Sequence, residues 1–271
     1  MSTLVCFHAH PDDESTGTAG IMALAAREGH RVVLVVATRG ERGEPTPGVL
    51  AENEPLWERR IKESFESARL LGVERVEFLG YVDSGMMGES DNDYPYSFWQ
   101  ADVEHAANRL AVILREEDAD ILTIYDDFGG YGHPDHIQVH RVGKRAAELA
   151  GTPRVLQGTM NQDAIKRSIE QVAQQLAEAG IDPPEGAPTP EDFDTTTFGK
   201  PERELTHAID VSSFIDLKKD SMRAHRSQIA EDSWFLSLDE ASFLQGFGIE
   251  WFIDASRPRA EGAAFLTSIW S

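Results

Sequence analysis

Two short segments of the sequence concentrate histidines and carboxylates. The first is FHAHPDDES, residues 7–15, which follows the apolar run of residues 4–7. The second is YDDFGGYGHPDHIQVHR, residues 125–141, which again follows an apolar run. Together they hold five of the nine histidines of the chain, namely His8, His10, His133, His136 and His140. Imidazoles and carboxylates grouped in this way indicate metal binding or acid–base chemistry at two strand ends.

The spacing of the first segment predicts a metal ligand pair. If the chain after residue 7 begins a helix, His10 and Asp13 share one face, with Cβ atoms about 5 to 6 Å apart, and Asp12 points elsewhere as a free base. A mixed imidazole and carboxylate set is typical of zinc, whereas magnesium and calcium prefer oxygen ligands. Iron (Fe2+) stays an alternative, because two histidines and one carboxylate also describe its ligand triad. Spacing alone leaves the third ligand open among His133, His136 and His140.

The elements around these segments predict an α/β fold. Strands buried on both faces are typically short, nearly continuous apolar runs. Such runs occupy residues 4–7, 32–37, 76–79 and 121–125. Between them, residues 51–71 carry one apolar stripe at helical spacing, and Ser15 is an N-cap candidate for another helix that Gly29 would end. Alternating strands and helices favour a Rossmann-like, mostly parallel sheet flanked by helices, in which ligands bind at the carboxyl ends of the strands.

The C-terminal part of the chain predicts a smaller α+β segment packed on this sheet. Residues 181–202 hold four prolines between positions 183 and 190, which is typical of a loop. We therefore divide the chain into a Rossmann-like core (residues 1–180), this Pro-rich loop and a C-terminal segment (residues 203–271). In the last, LTHAIDVSSF and IEWFID are typical of strands, and residues 214–229 of a helix.

Composition excludes several classes of protein. The formal net charge is −22, whereas binding to a phosphate backbone needs basic patches, so we expect no nucleic-acid partner. No run of about 18 apolar residues occurs, so we expect no membrane span. Cys6 is the only cysteine, which excludes an internal disulfide, and no signal-like segment opens the chain. These features predict a cytoplasmic protein, and they leave both a monomer and a homo-oligomer open.

The motifs AHPDDE, residues 9–14, and HPDHIQVH, residues 133–140, together resemble the LmbE/PIG-L family of zinc-dependent N-deacetylases. Further motifs are similar to its mycothiol-pathway branch of deacetylases and conjugate amidases, namely GERGE at 40–44, VDSGM at 82–86 and GGYGHPDH at 129–136. The resemblance is strong over residues 4–150 and weak beyond. It implies a zinc-dependent hydrolase that cleaves the acetamide, or a related amide, of a small-molecule amino sugar.

The resemblance also implies roles for individual residues. It makes His10, Asp13 and His136 the zinc ligands and Asp12 the general base. It implies that His133, oriented by Asp135, stabilises the oxyanion and donates a proton.

Three further roles concern the substrate. The resemblance implies that Tyr131 binds or polarises the acyl carbonyl, and that Arg60 and Asp83 hold the sugar. The competing interpretations are that Tyr131 packs on its loop, that Arg60 is a solvated helix charge and that Asp83 is a turn residue. Phe128 stands where the mycothiol branch usually carries asparagine, which suggests an aglycone more apolar than inositol.

Other functions stay open at this point. The same metal set serves conjugate amidases, hydrolases of non-sugar amides and phosphoesterases. A phosphoesterase needs cations around its site, and the obvious ones near the motifs are Arg39, Arg42, Arg60 and Arg141. A third class is a binding module without activity, which an intact set of ligands, base and acid disfavours.

Overall fold

The computed structural model describes residues 1–179 and 198–271, whose strands form one seven-stranded sheet. The strands are β1 (Thr3–His8), β2 (Arg31–Val36), β3 (Arg75–Phe78), β4 (Ile121–Tyr125), β5 (Arg154–Thr159), β6 (His207–Asp210) and β7 (Ile249–Ile253). The helices are α1 (Asp13–Gly17), α2 (Ala19–Arg27), α3 (Leu56–Leu71), α4 (Val103–Glu116), α5 (Pro134–Ala150), α6 (Gln162–Ala179), α7 (Ile215–Ala224), α8 (Trp234–Ser237) and α9 (Glu240–Phe247). In this described part of the chain, no helix combines the length and apolar character needed to cross a bilayer.

The strands follow the order β3–β2–β1–β4–β5–β7–β6. The first five strands in this order are parallel to one another, and β7 is antiparallel to both β5 and β6. The chain runs outward from β1 to β3 on one side and from β4 to β5 on the other, so the strand order reverses between β1 and β4. The predicted Rossmann-like, mostly parallel fold is confirmed, and this reversal is where such sheets bind ligands.

The central strand β1 explains why its sequence is a continuous apolar run. Side chains alternate between the two faces of a strand, and both faces of β1 are covered. Val5 and Phe7 pack on the face that α4 and α5 cover, whereas Leu4 and Cys6 pack on the face of α2. With both faces of the strand occupied by the core, polar residues can begin only where the strand ends.

The helix after β1 begins earlier than predicted. Ser15 is not an N-cap, because α1 already begins at Asp13 and Asp12 occupies the N-cap position. Ser15 is instead a buried residue within α1, and its Oγ lies 2.6 Å from Ser221 Oγ on α7. A hydroxyl that resembled a cap in the sequence therefore joins this helix to the C-terminal part of the chain.

The helix predicted over residues 51–71 begins only at Leu56. Proline at position 55 disfavours helical backbone at the residue before it, so the helix cannot extend further toward the N-terminus. Its C-terminal end agrees with the prediction, since Gly72 takes the left-handed conformation with a φ of 76° that commonly ends helices. The long helix that carries Arg60 is thus shorter than its apolar stripe suggested.

The C-terminal strands extend the same sheet. β7 pairs with β5, and β6 pairs with β7, so LTHAIDVSSF contributes a strand shorter than predicted and IEWFID a strand where expected. The helix predicted over residues 214–229 is α7, which ends at Ala224 and packs against α1, α2 and α3. Most of the predicted loop, residues 181–197, lies outside the described residues. The division of the chain at residue 203 stays a prediction.

Candidate metal and acid–base centre

The two motifs meet at the carboxyl ends of β1 and β4. β1 ends at His8 and leads through a turn into α1, whereas β4 ends at Tyr125 and leads through a glycine-rich loop into α5. Because β1 and β4 are neighbours in the sheet, these two connections face each other. The topology therefore brings together the residues that the two motifs separate by more than a hundred positions.

Asp13 lies between two imidazoles. Its Oδ2 is 3.4 Å from Nδ1 of His10, and its Oδ1 is 3.4 Å from Nε2 of His136. The His10 and His136 side chains are buried, and their ring centroids are 5.3 Å apart. The structure thus brings together the three predicted ligands, with a different Asp13 oxygen facing each imidazole. That they bind a metal stays a prediction.

The surroundings of His10 fit a metal ligand. Its Nε2 donates to Asp135 Oδ2 at 3.2 Å and lies 3.5 Å from Asp83 Oδ1, which leaves Nδ1 directed at Asp13. Metal-binding histidines usually donate their other ring nitrogen to a carboxylate in this way. Two imidazole nitrogens and one carboxylate are a donor set that zinc accepts. His10, Asp13 and His136 would hold the ion.

The structure distinguishes the three histidines that were candidates for the third metal ligand. Atoms of His10, His133 and His136 lie within 4.8 Å of one another. His140 instead places its Nδ1 3.0 Å from the Tyr125 carbonyl oxygen, inside the fold. Of the two remaining histidines, His136 faces Asp13 directly, whereas Nδ1 of His133 already accepts a hydrogen bond from the backbone.

The charges of the cluster favour a cation. Burial lowers the pKa of His10, but Asp83, Asp13 and Asp135 outweigh this and raise that pKa well above its ordinary value. Burial likewise raises the pKa of Asp13, but His136 and His10 bring it well below its ordinary value. The Asp13 carboxylate is therefore ionised, and the carboxylates of Asp13, Asp83 and Asp135 surround one imidazole, which makes the site attractive to a divalent ion.

Asp12 occupies different surroundings from its neighbour. Its Oδ2 accepts a hydrogen bond from Nη2 of Arg60 at 3.1 Å, and its backbone takes a φ of 95°. Burial raises the pKa of Asp12 to about 6, with Arg60 opposing the shift and Asp13 adding to it. A carboxylate with a pKa near neutrality, next to a predicted ligand in the sequence and hydrogen-bonded to Arg60, has the properties of a general base.

Arg60 is buried beneath Asp12. Besides that carboxylate, its guanidinium donates to the carbonyl oxygens of Gly40 at 2.8 Å and Pro11 at 2.6 Å. Gly40 has a φ of 64°, and a Cβ there would lie 2.0 Å from Arg60 Nη1, so only glycine admits this close approach. The interpretation of Arg60 as a solvated helix charge is wrong. Its predicted contact with a sugar stays a prediction.

His133 and Asp135 contact each other differently from the prediction. His133 is the N-cap of α5, and its Nδ1 accepts the backbone N–H of Asp135 at 3.1 Å, as capping side chains do. This bond assigns the ring proton to Nε2. The Asp135 carboxylate instead contacts His10 and accepts from the hydroxyl and the backbone N–H of Ser84. Asp135 therefore orients His133 through its backbone and His10 through its side chain.

His133 remains placed to donate a hydrogen bond into the site. Its ring centroid lies 4.6 Å from that of His10 and 5.1 Å from that of His136. Burial, with His10 and His136, lowers the pKa of His133 to about 3, so the ring is neutral and Nε2–H is a donor. Tyr131 lies at the rim, where its side chain is exposed and its hydroxyl is 3.5 Å from Nε2 of His136.

Asp83 and Phe128 make contacts within the protein. Asp83 is buried, and besides His10 it accepts the backbone N–H groups of Gly85 at 2.9 Å and Arg42 at 3.3 Å. The Phe128 ring lies over Gly132, where a Cβ would come 3.0 Å from the ring carbons. Their predicted contacts with a sugar and with an apolar aglycone stay predictions.

Sequence reasoning missed several supporting residues. The ring of Tyr125 stacks on His136 at 4.2 Å with an interplanar angle of 11°, and its hydroxyl bonds to His8 Nδ1 at 2.9 Å. The carboxylate of Asp126 accepts the backbone N–H groups of Phe128 and Gly130, which shapes the glycine-rich loop. Both residues stand directly at the end of β4, and that position was the one signal that could have identified them.

Comparisons with known proteins identify the family of this chain. Residues 5–147 match the PIG-L family, described as GlcNAc-PI de-N-acetylase. A 1D-myo-inositol 2-acetamido-2-deoxy-alpha-D-glucopyranoside deacetylase of Acidothermus cellulolyticus is 41% identical over 262 residues, which cover 93% of this chain and 88% of that protein. An enzyme of the same name from Thermobifida fusca is 38% identical and covers 99% of this chain and 98% of its own length.

A solved structure shows the same fold. It is the N,N'-diacetylchitobiose deacetylase from Pyrococcus horikoshii, with 24% identity and a TM-score of 0.54, and the match covers 86% of this chain and 73% of that one. The resemblance that the two motifs predicted is confirmed by the family match and by the relatives, which extend over nearly the whole chain. This chain belongs to the PIG-L family.

Proposed function

We propose that this protein is a zinc-dependent N-deacetylase that hydrolyses the acetamide of an N-acetylglucosamine joined to inositol. The observation that carries the proposal is the arrangement at the switch point of the sheet. His10, Asp13 and His136 converge there, and the neighbouring Asp12 is hydrogen-bonded to Arg60. The relatives named for deacetylation of an inositol-linked acetamidoglucoside support the choice of substrate.

The residues of the site divide the work of amide hydrolysis. When bound, zinc supplies a Lewis acid that polarises the acyl carbonyl and lowers the pKa of a water molecule to about 7. Asp12 accepts the proton of the attacking water. His133 donates its Nε2–H to the developing oxyanion, a contribution of about 2.7 to 4 kcal/mol in comparable sites. Asp12 then returns that proton to the nitrogen, the C–N bond breaks, and acetate and the free amine leave.

The contacts around Asp12 favour this assignment. Arg60 lowers the pKa of Asp12 against the effect of burial, which keeps a substantial fraction of the carboxylate ionised near neutral pH. An ionised Asp12 can accept a proton, and the protonated form can return it to the amine. Tyr131 is an exposed residue whose hydroxyl lies 3.5 Å from Nε2 of His136, where it can bind the acyl carbonyl.

The test is release of a free amine by zinc-loaded protein from a panel of amides. The panel holds N-acetylglucosaminyl inositol, N-acetylglucosamine with an apolar aglycone, an N-acetylgalactosamine conjugate, an S-conjugate amide and a simple acetamide. We expect the highest kcat/KM for the inositol compound, because a site that binds hydroxyls rejects compounds that lack them. Higher activity on the apolar aglycone would support the prediction from Phe128.

The controls are the Asp12→Ala protein and a phosphoester of the same sugar. Equal cleavage of the simple acetamide would remove the amino-sugar assignment while leaving a metal-dependent amidase. A preference for the S-conjugate would identify a conjugate amidase. Phosphate release without amine release would replace the proposed reaction altogether.

A further inference from the structure

Asp12 has a backbone conformation that residues other than glycine rarely adopt. Its φ of 95° and ψ of −26° lie outside the usual left-handed region, so the conformation persists only where neighbouring contacts enforce it. Arg60 Nη2 donates to the carbonyl of Pro11 at 2.6 Å, and the N–H of Asp12 donates to Glu14 Oε2 at 3.1 Å. The direction of the Asp12 carboxylate therefore depends on where Glu14 is held.

Glu14 is fully buried and held from two other elements. Its Oε1 accepts from Nε2 of His225 at 2.5 Å and from the hydroxyl of Ser67, on α3, at 2.5 Å. The oxygens of this buried carboxylate are thus divided between its two supports and the Asp12 backbone.

His225 is the imidazole support. It follows the last residue of α7 and is fully buried, and among the described residues its Nδ1 has no hydrogen-bond partner. Within that part of the chain, the hydrogen bond of the His225 side chain is therefore the one from Nε2 to Glu14. Two residues on, the N–H and hydroxyl of Ser227 donate to Glu63 of α3 at 3.1 and 2.5 Å, which anchors the turn that carries the imidazole.

We infer that His225 is a positioning residue for Asp12, which it holds in its strained conformation through Glu14. The inference rests on the function proposed above, in which Asp12 is the base. The hydrogen-bonded path runs from α7 through one buried carboxylate to the backbone of the reacting residue. His225 contacts none of the three predicted metal ligands, so its loss should change the chemical step and leave metal binding intact.

The experiment measures kcat, KM and zinc content for wild type, His225→Leu and His225→Gln on N-acetylglucosaminyl inositol. Glutamine places an amide nitrogen near the position of Nε2, so it keeps the donor to Glu14. We expect His225→Leu to lower kcat about 10²-fold, as a small misplacement of a reacting group does, with KM and zinc content unchanged. His225→Gln should restore most of kcat.

A matched control and a double-mutant cycle separate positioning from general stability. His207 on β6 is another fully buried histidine, bonded to the Thr206 hydroxyl, and His207→Leu should keep the kcat of wild type. In an Asp12→Ala background, His225→Leu should cost no further turnover, because it acts through Asp12. A further 10²-fold loss in that background would overturn the inference.

One further variant and a crystallographic test cover the remaining outcomes. If His225→Leu does not fold, Glu14→Leu with His225→Leu removes both members of the buried polar pair together, and its kcat should fall by the same factor. If wild type cleaves no compound of the panel, the proposed function fails, and crystal structures still test the positioning. Asp12 should leave its φ near 95° in His225→Leu and keep it in His225→Gln, and an unchanged φ in the leucine protein would overturn the inference.

Discussion

Two neighbouring aspartates, Asp13 and Asp12, lie in parts of the centre that shift the pKa of a carboxylate in opposite directions. On the metal side, formed by His10, Asp13 and His136, the Asp13 carboxylate lies between two imidazoles, which push its pKa well below the ordinary value. On the base side, formed by Asp12, Arg60 and Glu14, burial raises the pKa of Asp12 to about 6. One side is suited to bind a cation, and the other to exchange a proton.

The two sides also differ in how they are built. All three residues of the metal side come from the two motifs at strand ends. The base side depends on α3 for Arg60, on the glycine at position 40 for the close approach of that guanidinium, and on α7 for His225. Ligands can thus be supplied by local sequence, whereas a base with a tuned pKa and a strained backbone needs support from distant elements.

The largest effect that we expect is the loss of bound metal when a residue of the metal side is replaced. His136→Ala and Asp13→Ala should each lose the metal and all measurable turnover, because three protein ligands leave none to spare. Metal analysis of the purified proteins is the measurement. Stoichiometric zinc in either variant would remove that residue from the metal side.

Removing Asp12 should give the opposite pattern. In Asp12→Ala the three ligands remain, so zinc content should match wild type, while turnover falls by about 10²- to 10⁴-fold, as for a lost general base. Asp12→Asn keeps the volume of the side chain and serves as its control, since it also cannot accept the proton. Near-wild-type turnover in either protein would show that the base lies elsewhere.

A smaller effect on zinc affinity is expected from Asp135, whose carboxylate contacts His10. Asp135→Asn weakens the acceptor for His10 Nε2 and leaves the backbone N–H that holds His133. We expect zinc affinity to fall about 10- to 100-fold, as when the partner of a metal-binding histidine is removed. Competition with a chelator measures this affinity. Unchanged affinity with reduced turnover would instead indicate that Asp135 acts through His133, as first predicted.

The fold and the metal side could be predicted from the sequence because local patterns encode them. A strand buried on both faces must be apolar, so the run of residues 4–7 marked β1 and placed the first motif at its end. The base side could not be predicted in the same way. No pattern relates Glu14 to His225, since their contact depends on how α7 packs against α1 and α3. The side-chain contact of Asp135 with His10 could not be predicted for a related reason, because no local pattern relates these two residues.

The smallest effect concerns the pH dependence of stability on the base side. The pKa of Glu14 is about 2 in the folded protein, below its ordinary value of 4.5, so its stabilising contribution is present above pH 4.5 and lost as the pH falls toward 2. The pKa of His225 is raised above 6.5 by Glu14 against the effect of burial, so its contribution is present below pH 6.5 and lost as the pH rises through the folded pKa.

Both contributions are therefore complete only between about pH 4.5 and 6.5. We expect the free energy of unfolding of metal-free wild type to exceed that of Glu14→Leu, His225→Leu by the largest margin within this window, and the margin to shrink on either side. Urea unfolding across the pH range measures it. Leu71→Ala, a cavity substitution on α3, should lower the free energy by a nearly constant amount at every pH. A margin that is equally constant for the double variant would mean that Glu14 and His225 do not form an ionised pair in the folded protein.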